Sequence, residues 1–352
     1  MKVLSLFDGM SCGRIALERA GIKVDSYFAS EIDKHAIQVS KANYPDIFHI
    51  GDVTKIKAGL LNPIPDLVIG GSPCQTLSVA GDGSGFDGKS GLFFEYVRIL
   101  REVKEMNPNV KFLLENVKMK KEWKDIISKE LGVEPLEINS NLVSAQNRKR
   151  LYWTNIIGIT QPVDKGIYLK DILELEVDEK YFYSEKAISY LDRAKINKRF
   201  AMYSDNEKSI CLTANFHKSI PYNVYVDREK ANCLTQNYGN MACVNYNRGQ
   251  GQIVFSKEIL QINDSKESGG KQPYMQNRIY DSAGISPALT QFSNRLNIFH
   301  NDKIRRLTPT ECEKLQTVPI NYTNHVSNTQ RYRMLGNGWT IDVIAHIFSF
   351  LK

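Results

Sequence analysis

Cysteine is scarce in this 352-residue chain, and what there is lies scattered. Cys12, Cys74, Cys211, Cys233, Cys243 and Cys312 form no Cys-x-x-Cys pair and no Cys/His cluster, which speaks against a zinc module, and no metal is expected. In a reducing compartment all six are expected as free thiols. Long apolar runs are missing as well. None approaches the length needed to cross a bilayer, and the apolar opening over residues 1–7 is cut by Asp8. Neither a membrane partner nor a secretion leader is therefore expected, and a cytoplasmic location is the default. Acidic excess is absent too: 46 Lys and Arg against 39 Asp and Glu leave a net charge of +7. That balance suits a polyanionic partner without requiring one. A monomer is expected.

The first 160 residues alternate short apolar runs with helical patterns. Strands are predicted over residues 3–7, 26–30, 48–51, 66–70, 111–115 and 152–157, and helices over 13–20, 34–44 and 92–106. Such alternation predicts an α/β fold with a doubly wound, mostly parallel sheet, whose ligands sit at the carboxyl ends of the strands. The stretch from about 165 to 300 differs. It is rich in Asn, Tyr, Ser, Lys and Gln, and carries the similar segments 211–215 (CLTAN) and 233–237 (CLTQN), which read either as a structural repeat or as chance. Towards the end, Thr308 as cap, Pro309 as first helical residue and Glu311 three positions after the cap predict a capped helix start. Residues 340–351 read as a closing helix. Three parts follow: 1–165 for catalysis and cofactor binding, 166–304 as a smaller, strand- and loop-rich domain, and 305–352 returning to the first.

The run from Asp8 to Gly13 is a tight turn from the first strand into a helix, where Gly9 and Gly13 permit close backbone approach and the helix start offers N–H groups. Glu31 follows Gly9 by 22 residues at the next strand end, placed to accept from ribose hydroxyls, and Asp52 at the third could accept from an adenine amine. Read singly, both acids are better explained as helix caps or solvated loop residues. After the fourth strand comes Gly70-Gly71-Ser72-Pro73-Cys74-Gln75, a thiol held by a proline turn, then glycines at 81, 83, 85, 88 and 91 that read as a lid or as an ordinary surface loop. Glu115-Asn116-Val117 ends the fifth strand, and Gln146-Asn147-Arg148-Lys149-Arg150 precedes the sixth.

This ordered set resembles the carbon-5 cytosine DNA methyltransferase family. Phe7-Asp8-Gly9, Glu31, Asp52, Pro73-Cys74-Gln75, Glu115-Asn116-Val117, Gln146-x-Arg148-x-Arg150, Arg306-Leu307-Thr308-Pro309-x-Glu311 and Gly336-Asn337 occur in the family's order and leave only about 165–300 without a pattern. The resemblance implies an S-adenosylmethionine-dependent enzyme of the adenosylmethionine-methyltransferase fold, bacterial or phage-borne, acting on a flipped-out cytosine of double-stranded DNA. In that reading Cys74 attacks carbon 6, Glu115 binds the ring nitrogen and exocyclic amine, Arg148 holds the carbonyl oxygen, and Arg150 supports the site. Phe7, Asp8, Gly9, Gly13, Glu31, Ile32, Asp52, Val53, Pro73, Leu92, Asn337 and Trp339 would serve the cofactor. The middle part would be the target-recognition domain, with Thr213, Asn215, Thr235, Gln236 and Asn237 meeting bases and Gln75 and Ser78 meeting DNA beside the thiol. Arg228, Arg248 and Lys218 would take phosphates. Two features depart from most bacterial members: Asp8 and Ser11 in the first turn, and Trp339 where valine is commoner. Phe7-Asp8-Gly9 and Trp339 resemble the eukaryotic de novo branch and its bacterial or phage relatives. Rival expectations are a transfer-RNA cytosine methyltransferase, disfavoured by the missing Cys-Phe-Thr signature, and a catalytically inactive DNA-binding homologue, disfavoured by Cys74, Glu115 and Arg148.

Overall fold

The computed structural model describes residues 1–73, 91–182, 279–281, 286–287, 297–300 and 303–351. Cys74, Gln75, Ser78, the glycines from 81 to 88, and Thr213, Asn215, Thr235, Gln236 and Asn237 lie outside the described residues, as do Arg228, Arg248 and Lys218.

Seven strands form the central sheet: β1 (Lys2–Leu6), β2 (Ser26–Ser30), β3 (Phe48–His49), β4 (Leu67–Gly70), β5 (Lys111–Val117), β6 (Leu136–Asn139) and β8 (Lys149–Thr154), in the order β3-β2-β1-β4-β5-β8-β6. The strands from β3 to β5 pair in parallel, whereas β8 runs antiparallel to both β5 and β6. The strand order reverses between β1 and β4, and a doubly wound sheet opens its ligand crevice at that point. Two further pairings flank the sheet. A two-residue β7 (Gln146–Asn147) pairs with β10 (Ser286–Pro287), and β9 (Ile279–Asp281), β11 (Asn297–His300) and β12 (Lys303–Arg306) make a small sheet of their own.

Both faces of the large sheet are covered, and the period of two shows it. In β4, Leu67 and Ile69 enter one core cluster while Val68 enters the other; in β5, Leu113 faces the first and Phe112 and Leu114 the second. Helices α1 (Cys12–Arg19) and α2 (Lys34–Asn43) serve the first face, and α3 (Phe93–Met106) and α4 (Lys121–Leu131) the second. Local chemistry sets their limits. The Asp33 carboxylate accepts from the His35 N–H at 2.8 Å to start α2, and Gly132, at φ +73°, takes the left-handed conformation that ends α4.

The chain after α5 (Leu169–Ile172) returns to the first face through α6 (Pro309–Leu315), α7 (Asn328–Asn337) and α8 (Ile341–Phe348). Ile341, Val343, Ile344, Ile347 and Phe348 are buried with Ile15 and Leu17 of α1 in the same cluster. The capping box forms as the sequence predicts: Thr308 Oγ1 accepts from the Glu311 N–H at 3.1 Å, and Glu311 Oε2 accepts from the Thr308 N–H at 2.7 Å. Glu311 also holds Arg305 by two hydrogen bonds of 2.7 and 2.8 Å, with both side chains almost fully buried. An isolated antiparallel bridge joins Phe182 to Arg305.

Candidate active site

At the β1/β4 crevice lies a cavity of about 360 Å³, within the range of small-molecule sites. Its walls come from the ends of β1, β2, β4 and β5, the start of α2, Arg148 and Arg150, and the end of α7. The turn after β1 is wound left-handed at three places: Phe7 (φ 57°), Gly9 (φ 60°) and Ser11 (φ 65°). For Phe7 and Ser11 this conformation is strained, as is common where a backbone must fit a ligand. Hydrogen bonds hold the turn in place. The Asp8 N–H donates to the Ser30 carbonyl at 3.0 Å, and the Gly9 N–H donates to Glu31 Oε2 at 2.8 Å.

Glu31 ties the first two strand ends together. Its Oε1 accepts from the Ile32 and Asp33 N–H groups at 2.7 and 2.8 Å. With about four acceptor positions on a carboxylate, three backbone donors leave Oε2 free capacity towards the cavity. Ile32 is 76% exposed and lies on the cavity wall, an apolar face for a flat ring.

Asp8 is buried, accepting from Ser11 Oγ at 2.6 Å and from the Tyr27 hydroxyl at 2.8 Å. Burial pushes its carboxyl up to about 6 despite these hydrogen bonds, with the Glu31 charge adding to the rise. Such a group binds more protons when folded than when unfolded. Its stabilising contribution is complete below the unfolded value near 3.9 and is lost as pH rises through about 6. Relative to an Asp8→Asn variant, the unfolding free energy of the parent should therefore decline between pH 4 and pH 7 in urea titrations. A difference that stayed flat over that interval would refute the assignment.

Not every sequence-derived candidate reaches the cavity. Phe7, Asp8, Gly9, Glu31, Ile32, Pro73, Glu115, Arg148, Arg150, Asn337 and Trp339 line it; Gly13, Asp52, Val53 and Leu92 do not. Gly13 is needed for packing, since a Cβ there would fall 2.3 Å from Ile69 Cδ1 and 2.9 Å from the Tyr27 hydroxyl. Asp52 caps a short turn, its Oδ1 accepting from the Thr54 N–H and hydroxyl, both at 2.9 Å; these bonds hold its carboxyl below the usual range. Val53 is buried in the core and Leu92 is packed beside it. The sequence reading missed Met10, Cys12, Asp33, Ser72, Arg333 and Gly338 on the walls. Of these, Met10 and Cys12 carry a local signal in the Asp8–Gly13 turn, and so does Ser72, standing between Gly71 and Pro73 in the motif that carries the thiol. Its carbonyl and hydroxyl accept from Asn116 Nδ2 at 3.3 and 3.1 Å, which joins the ends of β4 and β5.

The charged centre is compact. Arg150 Nε lies 3.0 Å from Glu115 Oε1, and Trp339 Nε1 donates to Glu115 Oε2 at 3.2 Å. Arg148 takes a different position. Only 3% exposed, it donates through Nη2 to the Gly338 carbonyl at 2.9 Å and through both Nη atoms to the Gly336 carbonyl at 3.3 and 3.4 Å. It thereby fixes the turn that presents Trp339. The two described cysteines are poor nucleophiles, since burial pushes the Cys12 thiol up to about 12 and the Cys312 thiol far above its ordinary value. Among the described residues no cluster of His, Cys, Asp and Glu could hold a metal, and no helix is long and apolar enough to cross a membrane.

Comparison with known proteins gives a consistent result. The sequence profile of the family described as C-5 cytosine-specific DNA methylase matches residues 1–352. The chain is 30% identical to the Type II methyltransferase M1.ScrFI of Lactococcus lactis subsp. cremoris, over 97% of this chain and 76% of that protein. It is 28% identical to the orphan methyltransferase M.SPRI of Bacillus phage SPR, over 100% of this chain and 97% of the relative. Among solved structures, the Entamoeba histolytica methyltransferase EhMeth superposes with a TM-score of 0.61 at 14% identity, over 100% of this chain and 99% of that one, which is a likeness of fold.

Proposed function

This chain belongs to the C-5 cytosine-specific DNA methylase family and is an S-adenosylmethionine-dependent DNA cytosine-5 methyltransferase, and from that premise we propose that Cys74 is its nucleophile and that Glu115 and Arg150 hold the target base. One observation carries this reading. The Glu115–Arg150 pair stands on the wall of the same cavity as Pro73, and the chain runs from Pro73 directly into Cys74.

The residues present suit the cofactor. Adenosylmethionine carries cationic sulfonium and ammonium groups, and the carboxyl groups of Asp8 and Glu31 stand on the wall beside Ile32 as an apolar face, with Glu31 Oε2 for a ribose hydroxyl; Asp33 is paired with Arg333 at 3.2 Å. When bound, the cofactor supplies an electrophilic methyl group. The protein's part is to make carbon 5 of cytosine nucleophilic. The Cys74 thiolate adds to carbon 6, and the electron pair of the 5,6 double bond moves towards carbon 5. Glu115 accepts from the exocyclic amine and supplies a proton to ring nitrogen 3. After transfer, the carbon-5 proton leaves to solvent, the thiolate is expelled, and ring nitrogen 3 returns its proton to Glu115, which restores the neutral ring. Arg150, paired with Glu115 at the cavity, is the better placed of the two arginines to take the base's carbonyl oxygen; Arg148 is committed to the Gly336 and Gly338 carbonyls. This redraws the division of labour that the sequence suggested. A base cannot reach such a pocket from within a stacked duplex, so it must be flipped out. Residues 166–304 form the target-recognition part in this reading, and the net charge of +7 favours the DNA backbone.

Bisulfite sequencing of DNA from cells expressing the protein is the direct test, and methylated cytosines within one short motif are the expected result. Unmodified DNA with methylated transfer RNA would overturn the choice of substrate. Glu115→Gln should lower kcat by roughly 10²–10³-fold while DNA affinity stays within about threefold, because glutamine keeps the shape and loses the proton. A turnover equal to the parent's would remove Glu115 from its assigned role.

A further inference from the structure

We propose that Trp339 is a positioning residue whose indole N–H holds the Glu115 carboxylate in the orientation needed for the base. This rests on the reading of Glu115 given above and goes beyond it, since the sequence had placed Trp339 on the cofactor.

The geometry around Glu115 is over-determined. Arg150 Nε takes Oε1 at 3.0 Å and Trp339 Nε1 takes Oε2 at 3.2 Å, so each oxygen has its own donor and rotation of the carboxylate breaks a bond at either end. The indole nitrogen carries a donor only, which makes the contact one-directional: it can serve an oxygen acceptor and nothing else. Trp339 is itself held from behind. The Gly338 carbonyl accepts from Arg148 Nη2 at 2.9 Å and from Gln316 Nε2 at 3.3 Å, and the Gly338 N–H donates to the Met334 carbonyl at 2.7 Å. Gly71 completes the arrangement. A Cβ at that position would sit 3.0 Å from Trp339 Nε1 and 3.2 Å from Glu115 Oε2, at the contact between the two groups. A side chain at Gly71 would press on the point where the indole and the carboxylate meet and force one of them to shift by a few tenths of an ångström.

Two single variants and their combination test the proposal, using the full-length protein, tritiated adenosylmethionine and unmethylated bacterial genomic DNA. Trp339→Phe removes the N–H and keeps an aromatic ring. Gly71→Ala inserts a methyl at the contact and leaves both partners intact. The expected result is a fall in kcat of about tenfold in each, about 1.4 kcal/mol of barrier. KM for DNA and the equilibrium affinity for adenosylmethionine should stay within about threefold. The double variant should lose little more than either single one, because both remove the same contact. Either of two results overturns the proposal: kcat within twofold of the parent in folded Trp339→Phe or in Gly71→Ala, or a loss of cofactor affinity beyond tenfold with kcat at saturation unchanged, which would make Trp339 a cofactor wall. Should Trp339→Phe fail to fold, Gly71→Ala decides alone. A parent enzyme that labels no DNA would refute the functional reading itself, and is thus separable from a parent that labels DNA while both variants turn over equally fast.

Discussion

Replacing Cys74 with serine is expected to reduce methyl transfer by on the order of 10⁴-fold or more, with DNA binding preserved within about threefold. The reason is the difference between the two nucleophiles. A thiol titrates near 8.5, so a useful fraction is thiolate at neutral pH, and sulfur adds readily to a polarised carbon–carbon double bond. A serine hydroxyl of nearly the same size offers no comparable anion. No other described thiol can substitute, because Cys12 and Cys312 are buried and their thiols are held protonated. Tritium incorporation into DNA measures the rate, and gel retardation measures the affinity. A serine variant retaining a tenth of the parent's rate would show that the addition step belongs elsewhere.

The second large effect concerns stability. Glu311→Ala should lower the unfolding free energy by ~3–5 kcal/mol, the usual consequence of leaving one member of a buried ion pair without its partner. Arg305 would remain at 1% exposure with no counter-charge. Two backbone donors would also lose their acceptor, the N–H groups of Thr308 and Glu174 at 2.7 and 2.8 Å. Urea denaturation followed by circular dichroism provides the measurement, and a loss below about 1 kcal/mol would show that water replaces the carboxylate. The effect reaches the active site by way of the chain, because α6 to α8 carry the turn that supplies Gly336, Gly338 and Trp339 to the cavity.

How far the sequence could be read depended on how local each signal was. The capped start at Thr308 needs four residues and no tertiary information, and it forms as expected. The parallel strands of the first half announce themselves by apolar runs because both faces of the sheet are covered. Strand β6 was missed: its four residues, Leu-Glu-Ile-Asn, lie at the sheet edge and bring one fully buried side chain, Ile138. Helix α7 was missed for a different reason. Its sequence is polar, and its buried face includes Arg331, which is paired with Glu313 at 3.1 Å, so charge that reads as solvated is in fact internal. Within the site, the motif residues Glu115, Arg148 and Arg150 were legible and their partition was not. A spacing of two in an unbroken strand would turn both arginines to one side. Here Arg148 falls between β7 and β8, and the break sends its guanidinium to the Gly336 and Gly338 carbonyls while Arg150 meets Glu115. Asp52 and Gly13 illustrate the converse, since a residue can match a motif and still be explained by a cap or by close packing.

The bridge between Phe182 and Arg305 has a bearing on how such a protein can change its choice of DNA. The chain between Phe182 and Arg305 begins and ends at neighbouring positions, and β10 within it also pairs with β7 of the catalytic body. The entropy of closing such an excursion grows only logarithmically, by about 0.6 kcal/mol for each doubling in length. New sequence can therefore accumulate there at little entropic cost to the frame that presents Glu115, Arg150 and Trp339, and in the proposed reading, where this stretch recognises the target, preference can drift independently of chemistry.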